Sequence, residues 1–265
     1  MLINAVPQWQ GAIGPRARGL VEGCLALSEL AGHVLGKPVH HVRQDRATSG
    51  VVAGIANRAV LTGPNRQAHL AALEAPEGPV LTIGGDCGVE LIPVGVARFR
   101  YGARLGVAWF DAHADLNTAE SSPSGAFHGM VLRSLLGDGD EEFAASPALE
   151  RGRVALFGTR SFDSAEEDAI AAGLAVRTDD VAATLNAAGA HQLYLHLDLD
   201  ILDPGEFAGL NYPEPGGLSI AELAAAIDGL SGMDVVGAGI TECVGTEVAA
   251  LEPVLAAVGR VLMEG

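Results

Sequence analysis

The chain has 265 residues and a formal net charge of −17, with no cluster of Lys or Arg, which argues against nucleic-acid and anionic-membrane partners because both need a basic face. Hydrophobic residues make up 49% and charged residues 18%, enough for a sizeable core, while aromatics are only 5% and Ala, Val, Leu and Gly fill in, as suits a tightly wound α/β protein. No apolar run approaches the ~20 residues of a membrane helix, residues 1–9 lack the features of a signal peptide, and three cysteines without scaffold spacing (Cys24, Cys87, Cys243) fit a reducing, cytoplasmic setting.

Strands are expected at residues 2–6, 38–42, 79–83, 104–110, 153–157, 174–176, 192–197 and 234–240. Most are continuous apolar runs rather than alternating ones, the pattern of a parallel sheet covered on both faces. Helix-length segments separate them. Thr178, followed by Asp179 and Asp180, opens one helix with acids where its dipole favours them. Ser219 and Glu222 form a capping box ahead of the apolar run 223–230. The alternation predicts an α/β fold over residues 1–265, one domain with an open, mostly parallel sheet and helices on both sides. Two longer irregular stretches, 117–129 and 201–218, follow acid-bearing strand ends. Ligands of open α/β sheets bind beyond such ends.

The strongest chemical signal is Asp111-Ala112-His113-Ala114-Asp115, at the end of the fourth strand. If the extended conformation persists, its three polar side chains point the same way. Burying two carboxylates and an imidazole together is costly unless a cation neutralises them. A second signal, His196-Leu197-Asp198-Leu199-Asp200 followed by Asp203-Pro204, places two more carboxylates two residues apart. Like charges so close would force one to stay protonated, and a metal removes that conflict. Four aspartates and a histidine suit hard or borderline divalent ions such as Mn²⁺ better than a structural zinc. Gly84-Gly85-Asp86-Cys87 permits a tight turn against a ligand, and Glu242 ends the last strand, where a carboxylate could hold a guanidinium by paired bonds.

In order and spacing, the segments around Gly84–Cys87, Asp111–Asp115, His196–Pro204 and Glu242 resemble the metal-site motifs of the arginase, agmatinase and formimidoylglutamase superfamily. The likeness extends to Gly19-Leu20-Val21-Glu22-Gly23 and covers nearly the whole chain. It implies a three-layer α/β/α sandwich on an eight-stranded, mostly parallel sheet, two Mn²⁺ ions, and a homo-oligomer, trimer or hexamer. By position, Asp111 and Asp198 would bridge the ions, His113 and Asp200 would complete one shell, and Asp115 and Cys87 would belong to the other. The implied catalytic set is Asp115, Glu242 to orient the guanidinium, and His128 in Ser124-Gly125-Ala126-Phe127-His128-Gly129 to protonate the leaving amine. Asn117 and Ser124 match positions that meet the substrate α-carboxylate, and Asp163 and Glu166 match those that hold its α-amino group. A small-molecule guanidino substrate that is an α-amino acid follows: arginine or an Nω-substituted arginine, cleaved to ornithine and urea or a urea derivative.

Two departures bear on substrate and metal. Cys87 stands where the family has a histidine ligand, and its thiol favours zinc or iron over manganese. A minority branch that includes an Nω-hydroxyarginine amidinohydrolase shares that cysteine. Tyr212, in Leu210-Asn211-Tyr212, replaces a threonine that lines the guanidinium pocket and would narrow it. Alternative readings are an agmatinase- or guanidinoacid-type ureohydrolase, a one-zinc amide hydrolase, and a metal-poor relative that binds an amino acid without turnover.

Overall fold

In this computed structural model, residues 1–74 and 78–264 are described. Short strands and helices alternate along them. Strand β1 (Leu2–Val6) leads to helix α1 (Gly19–Leu35), β2 (Val39–His41) to the short α2 (Arg58–Val60) and α3 (Arg66–Leu73), and β3 (Val80–Gly84) to α4 (Leu91–Tyr101). Then β4 (Leu105–Phe110) precedes α5 (Val131–Leu135), β5 (Val154–Phe157) precedes α6 (Ser164–Ala171), and β6 (Val176–Arg177) precedes α7 (Val181–Ala187). The chain ends with β7 (Gln192–Asp198), α8 (Ile220–Asp228), β8 (Asp234–Thr241) and α9 (Glu252–Glu264). Among the described residues the strands form one eight-stranded sheet, in the order β2-β1-β3-β8-β7-β4-β5-β6, with every pairing parallel.

The continuous apolar strands have two buried faces, as expected. In β4, Ala108 and Phe110 pack in a core with residues of α1, α7, α8 and α9, whereas Leu105, Val107 and Trp109 pack in a second core with α4, α5 and α6. Two helical layers thus enclose the sheet, giving the anticipated three-layer sandwich. The predicted capping box holds, with Ser219 Oγ accepting from Glu222 N and Glu222 Oε2 accepting from Ser219 N. At α7 the cap is Asp180, which accepts from Ala183 N, and Thr178 instead accepts from Asp180 N one turn earlier. Strand β6 begins at Val176 rather than residue 174, because Leu174 N still bonds the Ala169 carbonyl of the preceding helix end.

Strand order reverses twice around the middle of this sheet. After β3 the chain skips two places to β4, moves outward to β5 and β6, then returns to fill the gap with β7 and β8. The carboxyl ends of β3, β8, β7 and β4 therefore lie side by side although they are far apart in the chain, and ligands gather at such a switch point. No helix among the described residues is long and apolar enough to cross a membrane.

One buried group away from that point makes the fold acid-sensitive. His69, on α3, is enclosed with no partner for Nε2, and burial lowers its pKa to about 3. The unfolded chain binds a proton below the ordinary value near ~6.5 while the folded chain does not, so stability falls as pH drops from there toward 3. Between pH 6.5 and 4 the loss is about 3 kcal/mol. His69→Leu is expected to flatten the dependence of unfolding free energy on pH over that interval, measured by urea denaturation; an unchanged acid slope would contradict the assignment.

Candidate metal centre and substrate pocket

Both acid-bearing strand ends turn in the same way. Asp111 Oδ1 accepts from His113 N at 2.6 Å, and Asp198 Oδ1 accepts from Asp200 N at 2.7 Å. In each case an aspartate bends the chain back on itself. This corrects the expectation of an extended Asp111–Asp115 segment: the side chains converge because the backbone turns, and Asp115 adopts a left-handed conformation with φ of 53°. Glu242 is left-handed too, at φ of 64°. Such conformations in non-glycine residues cost about 1–3 kcal/mol and concentrate at functional sites.

Once turned, the two segments interlock. Asp200 Oδ1 accepts from Ala112 N at 3.1 Å, and Asp200 Oδ2 lies 2.9 Å from His113 Nδ1. Asp111 Oδ2 accepts from Trp109 Nε1, and the Cys87 thiol donates to Asp198 Oδ2 at 3.0 Å. Donor atoms of Asp111, His113 and Asp200 form one group within metal-ligand reach of each other; those of Cys87, Asp111, Asp115 and His196 form a second, and those of Cys87, Asp198 and Glu242 a third.

Charge is badly balanced in this cluster. Asp111, Asp115, Asp198 and Asp200 are all at most 4% exposed. Burial, followed by the charges of Asp200 and Asp111, pushes Asp198 well above the carboxylate range. Asp115 rises for the same first reason, with Asp111 next, and Asp200 rises to about 6 through burial and Asp111, against the hydrogen bond from His113. On Asp111 burial is also the largest influence, but the facing imidazoles of His113 and His196 outweigh it and hold the group below its ordinary value. Burial and the charge of Asp198 push the Cys87 thiol up. Asp115 Oδ2 is buried with no hydrogen-bond partner. Carboxylate oxygens, imidazole and thiol are all ligands for divalent cations, and an orphaned buried oxygen among repelling acids is what such ions neutralise. The donor set fits a two-ion centre.

Beside the cluster lies a cavity of about 370 Å³ whose wall includes His113, Asp115, Asp198 and Asp200 together with Asn117, Ser124, Asp163 and Glu166. Tyr212, His128 and Glu242 line it as well. Cys87 and Asp111 lie wholly buried against this wall, so all the residues singled out in the sequence come together. A larger, open hollow of about 720 Å³ lies by Arg43 and Arg46 and contains none of them. Glu242 Oε1 lies 3.1 Å from His128 Nδ1 and accepts from Cys87 N at 3.1 Å, and Oε2 accepts from Asn211 Nδ2 at 2.9 Å. The Tyr212 hydroxyl donates to Ile13 O at 2.6 Å, and its ring lies 5.2 Å from that of His128.

Some of these side chains also hold the fold. Asp163 and Glu166 form the capping box of α6, with Glu166 also accepting from Leu116 N. Asn117 donates to Asp163 Oδ2 and accepts from Ser121 Oγ, and Ser124 Oγ accepts from Ala126 N. Four contributors were not assigned a role from the sequence: His196, Glu90, Asn211 and Arg160. His196 could have been found by strand alternation, standing two residues before Asp198. Arg160 donates to five backbone carbonyls, those of Gly158, Asp200, Ile201, Glu214 and Pro215, tying together three loops that wall the cavity. Arg160→Met should lower stability by about 2 kcal/mol and raise KM more than it lowers kcat; a melting curve and KM like those of the wild type would contradict this clamp.

The sequence matches the profile described as the arginase family over residues 29–249. It is 34% identical to the arginase of Bacillus caldovelox over 174 residues, which is 59% of this chain and 58% of that relative. Against the arginase of Bacillus subtilis strain 168 it is 35% identical over 164 residues, 56% of this chain and 55% of the relative. The chain thus spans under three-fifths of the length of these curated relatives in sequence. In three dimensions, the native structure of the Bacillus caldovelox arginase superposes with a TM-score of 0.83 at 25% identity, covering 99% of this chain and 98% of that one. An Entamoeba histolytica arginase, crystallised with L-ornithine, shares the fold with a TM-score of 0.82 at 22% identity, over 99% of this chain and 98% of that one. With the profile matched over most of its length, and the fold shared from end to end, the chain belongs to the arginase family.

Proposed function

We propose that the chain is a binuclear-metal amidinohydrolase that cleaves the guanidinium group of arginine, or of an Nω-substituted arginine, to ornithine and urea or a urea derivative. The observation that carries this reading is the juxtaposition of four buried aspartates with Glu242 and His128 around one cavity. Its relatives named arginase support the reaction class. Asp111 and Asp198 would bridge two ions, with His113 and Asp200 on one and Asp115 and Cys87 on the other. Manganese suits the oxygen-rich side of this set. When bound, the ions supply a water activated as a nucleophile at neutral pH.

The remaining steps belong to the protein's own groups. Glu242 is held by donors on both oxygens, and its remaining acceptor capacity can receive guanidinium N–H bonds, which fixes the carbon beside the acids. Asp115, with an oxygen free of other partners, accepts a hydrogen bond from the attacking water. His128 stands against Glu242 at the cavity wall, and it can pass a proton to the departing amine. Asp163 and Glu166 would receive the α-amino group, while Asn117 and Ser124 would face the α-carboxylate. Polar donors for the carboxylate, beside an acid pair for the amine, would select an amino acid over its decarboxylated amine. Tyr212 takes up space between His128 and the loop of Ile13, and its hydroxyl is occupied there, so it shapes the guanidinium end of the cavity rather than bonding it.

Residues 1–265 would act as a single domain in the cytoplasm, a setting supported by three free, buried cysteines. A homo-oligomer, trimer or hexamer, is proposed on the family likeness alone, and membership of the branch carrying the cysteine rests on Cys87.

With Mn²⁺ added, assays of ornithine, urea and hydroxyurea over arginine, Nω-hydroxyarginine, agmatine and guanidinobutyrate should give turnover of an amino-acid substrate. No product from any of the four would overturn the reading. Asp163→Asn keeps a helix-capping side chain and should raise KM for the amino-acid substrate about 10–100-fold, the size of one charge-assisted bond. KM for guanidinobutyrate, which has no amino group, should barely move, and equal effects on both would remove the α-amino assignment.

A further inference from the structure

Cys87 stands where the family resemblance calls for an imidazole, yet an imidazole from β7 lies beside it. His196, on β7, is fully buried and shares with Asp198 one face of that strand. Its Nε2 lies 3.8 Å from the Cys87 sulfur and 3.8 Å from Asp111 Oδ2. One donor atom from each of Cys87, Asp111, Asp115 and His196 falls within 4.8 Å of all the others. Ligands held ~2.0–2.3 Å from one ion stand roughly 3–4 Å apart. These separations are therefore those of neighbours around an ion, and are too long for strong direct hydrogen bonds.

The far side of the ring carries an independent observation. His196 Nδ1 is buried without a hydrogen-bond partner, and the carboxylate facing it, Glu90 Oε2, is 3.8 Å away. Glu90 is itself fully buried, with no hydrogen-bond partner for either oxygen. Space for it exists only because β8 carries Gly239, where an added Cβ would run into the Glu90 carboxylate. Trp109 fixes the plane of the imidazole by stacking on it, with centroids 3.7 Å apart. A carboxylate behind an imidazole whose other nitrogen faces anionic donors is the arrangement that orients metal-binding histidines. The Tyr194 hydroxyl is also a neighbour of Glu90, and as packing alone a buried carboxylate without a close hydrogen bond would be costly.

We propose that His196 is a metal ligand in this chain, joining Cys87, Asp111 and Asp115 on one ion, with Glu90 as the positioning residue that aims its ring. The inference rests on the two-ion reading of the site. It also separates the two positions chemically. The side of His113 and Asp200 favours a hard ion such as Mn²⁺, whereas thiolate plus imidazole favours Zn²⁺, Fe²⁺ or Co²⁺.

Loading the full chain with Co²⁺, and following metal count by mass spectrometry together with the optical spectrum, tests this directly. Wild type should hold two Co²⁺ per chain and show a thiolate-to-cobalt band in the near ultraviolet that Cys87→Ser removes. His196→Gln should keep one ion, on the other side, and lose that band. Glu90→Gln should keep both ions but weaken the one giving the band about 10–100-fold. Two ions and an unaltered band in His196→Gln would overturn the assignment while leaving the two-ion reading intact. A wild-type chain that takes up no Co²⁺ would overturn both. Should His196→Gln fail to fold, unchanged Co²⁺ affinity in Glu90→Gln overturns the proposal in its place.

Discussion

Mutual repulsion among carboxylates that water barely reaches governs the architecture of this molecule's active end. Asp111, Asp115, Asp198 and Asp200 gather at the carboxyl ends of β4 and β7, with Glu242 from β8 beside them. Of the four aspartates, only Asp111 is held below the ordinary carboxylate range, and it owes that to two imidazoles. Asp115 and Asp198 are driven well above it. Uncompensated buried charge is among the most expensive things a fold can contain. A structure that assembles it at the switch point of its sheet has been shaped around cations that offset it.

The remaining features of the site can be understood as support for that assembly. Paired aspartate turns put one oxygen of Asp111 and of Asp198 on backbone N–H groups and leave the other oxygen facing the cluster or its near neighbours. Left-handed backbone at Asp115 and Glu242 aims both carboxylates inward at a cost in local strain. Arg160 ties the surrounding loops to one another by their carbonyls, so the walls keep a fixed relation to the acids. Asp163 and Glu166 both cap α6 and line the cavity. That dual use limits how freely they can be altered without loss of stability.

Much of this was legible in the sequence, for identifiable reasons. Strands buried on both faces are continuous apolar runs, so β1, β4, β5 and β7 stand out, whereas β6 is two residues long and blurred by the helix end before it. The acids were visible because such residues are rare at the ends of buried strands. Their backbone geometry was not, since an aspartate turn depends on which N–H its carboxylate reaches. Contacts between distant segments were also hidden. Arg160 meets Glu214 across 54 positions, and Asn211 meets Glu242 across 31. Glu90 and Gly239 make sense only as a pair, because the glycine leaves the room that the carboxylate occupies.

Metal content and thermal stability, measured together on chelator-stripped and Co²⁺-loaded chain, address the central claim most directly. If cations relieve the repulsion at the ends of β4 and β7, two ions should be retained per chain. The melting temperature should then rise by about 5–10 °C at metal concentrations near a hundred times Kd. Fewer than one ion per chain, with a melting curve indifferent to metal, would contradict it.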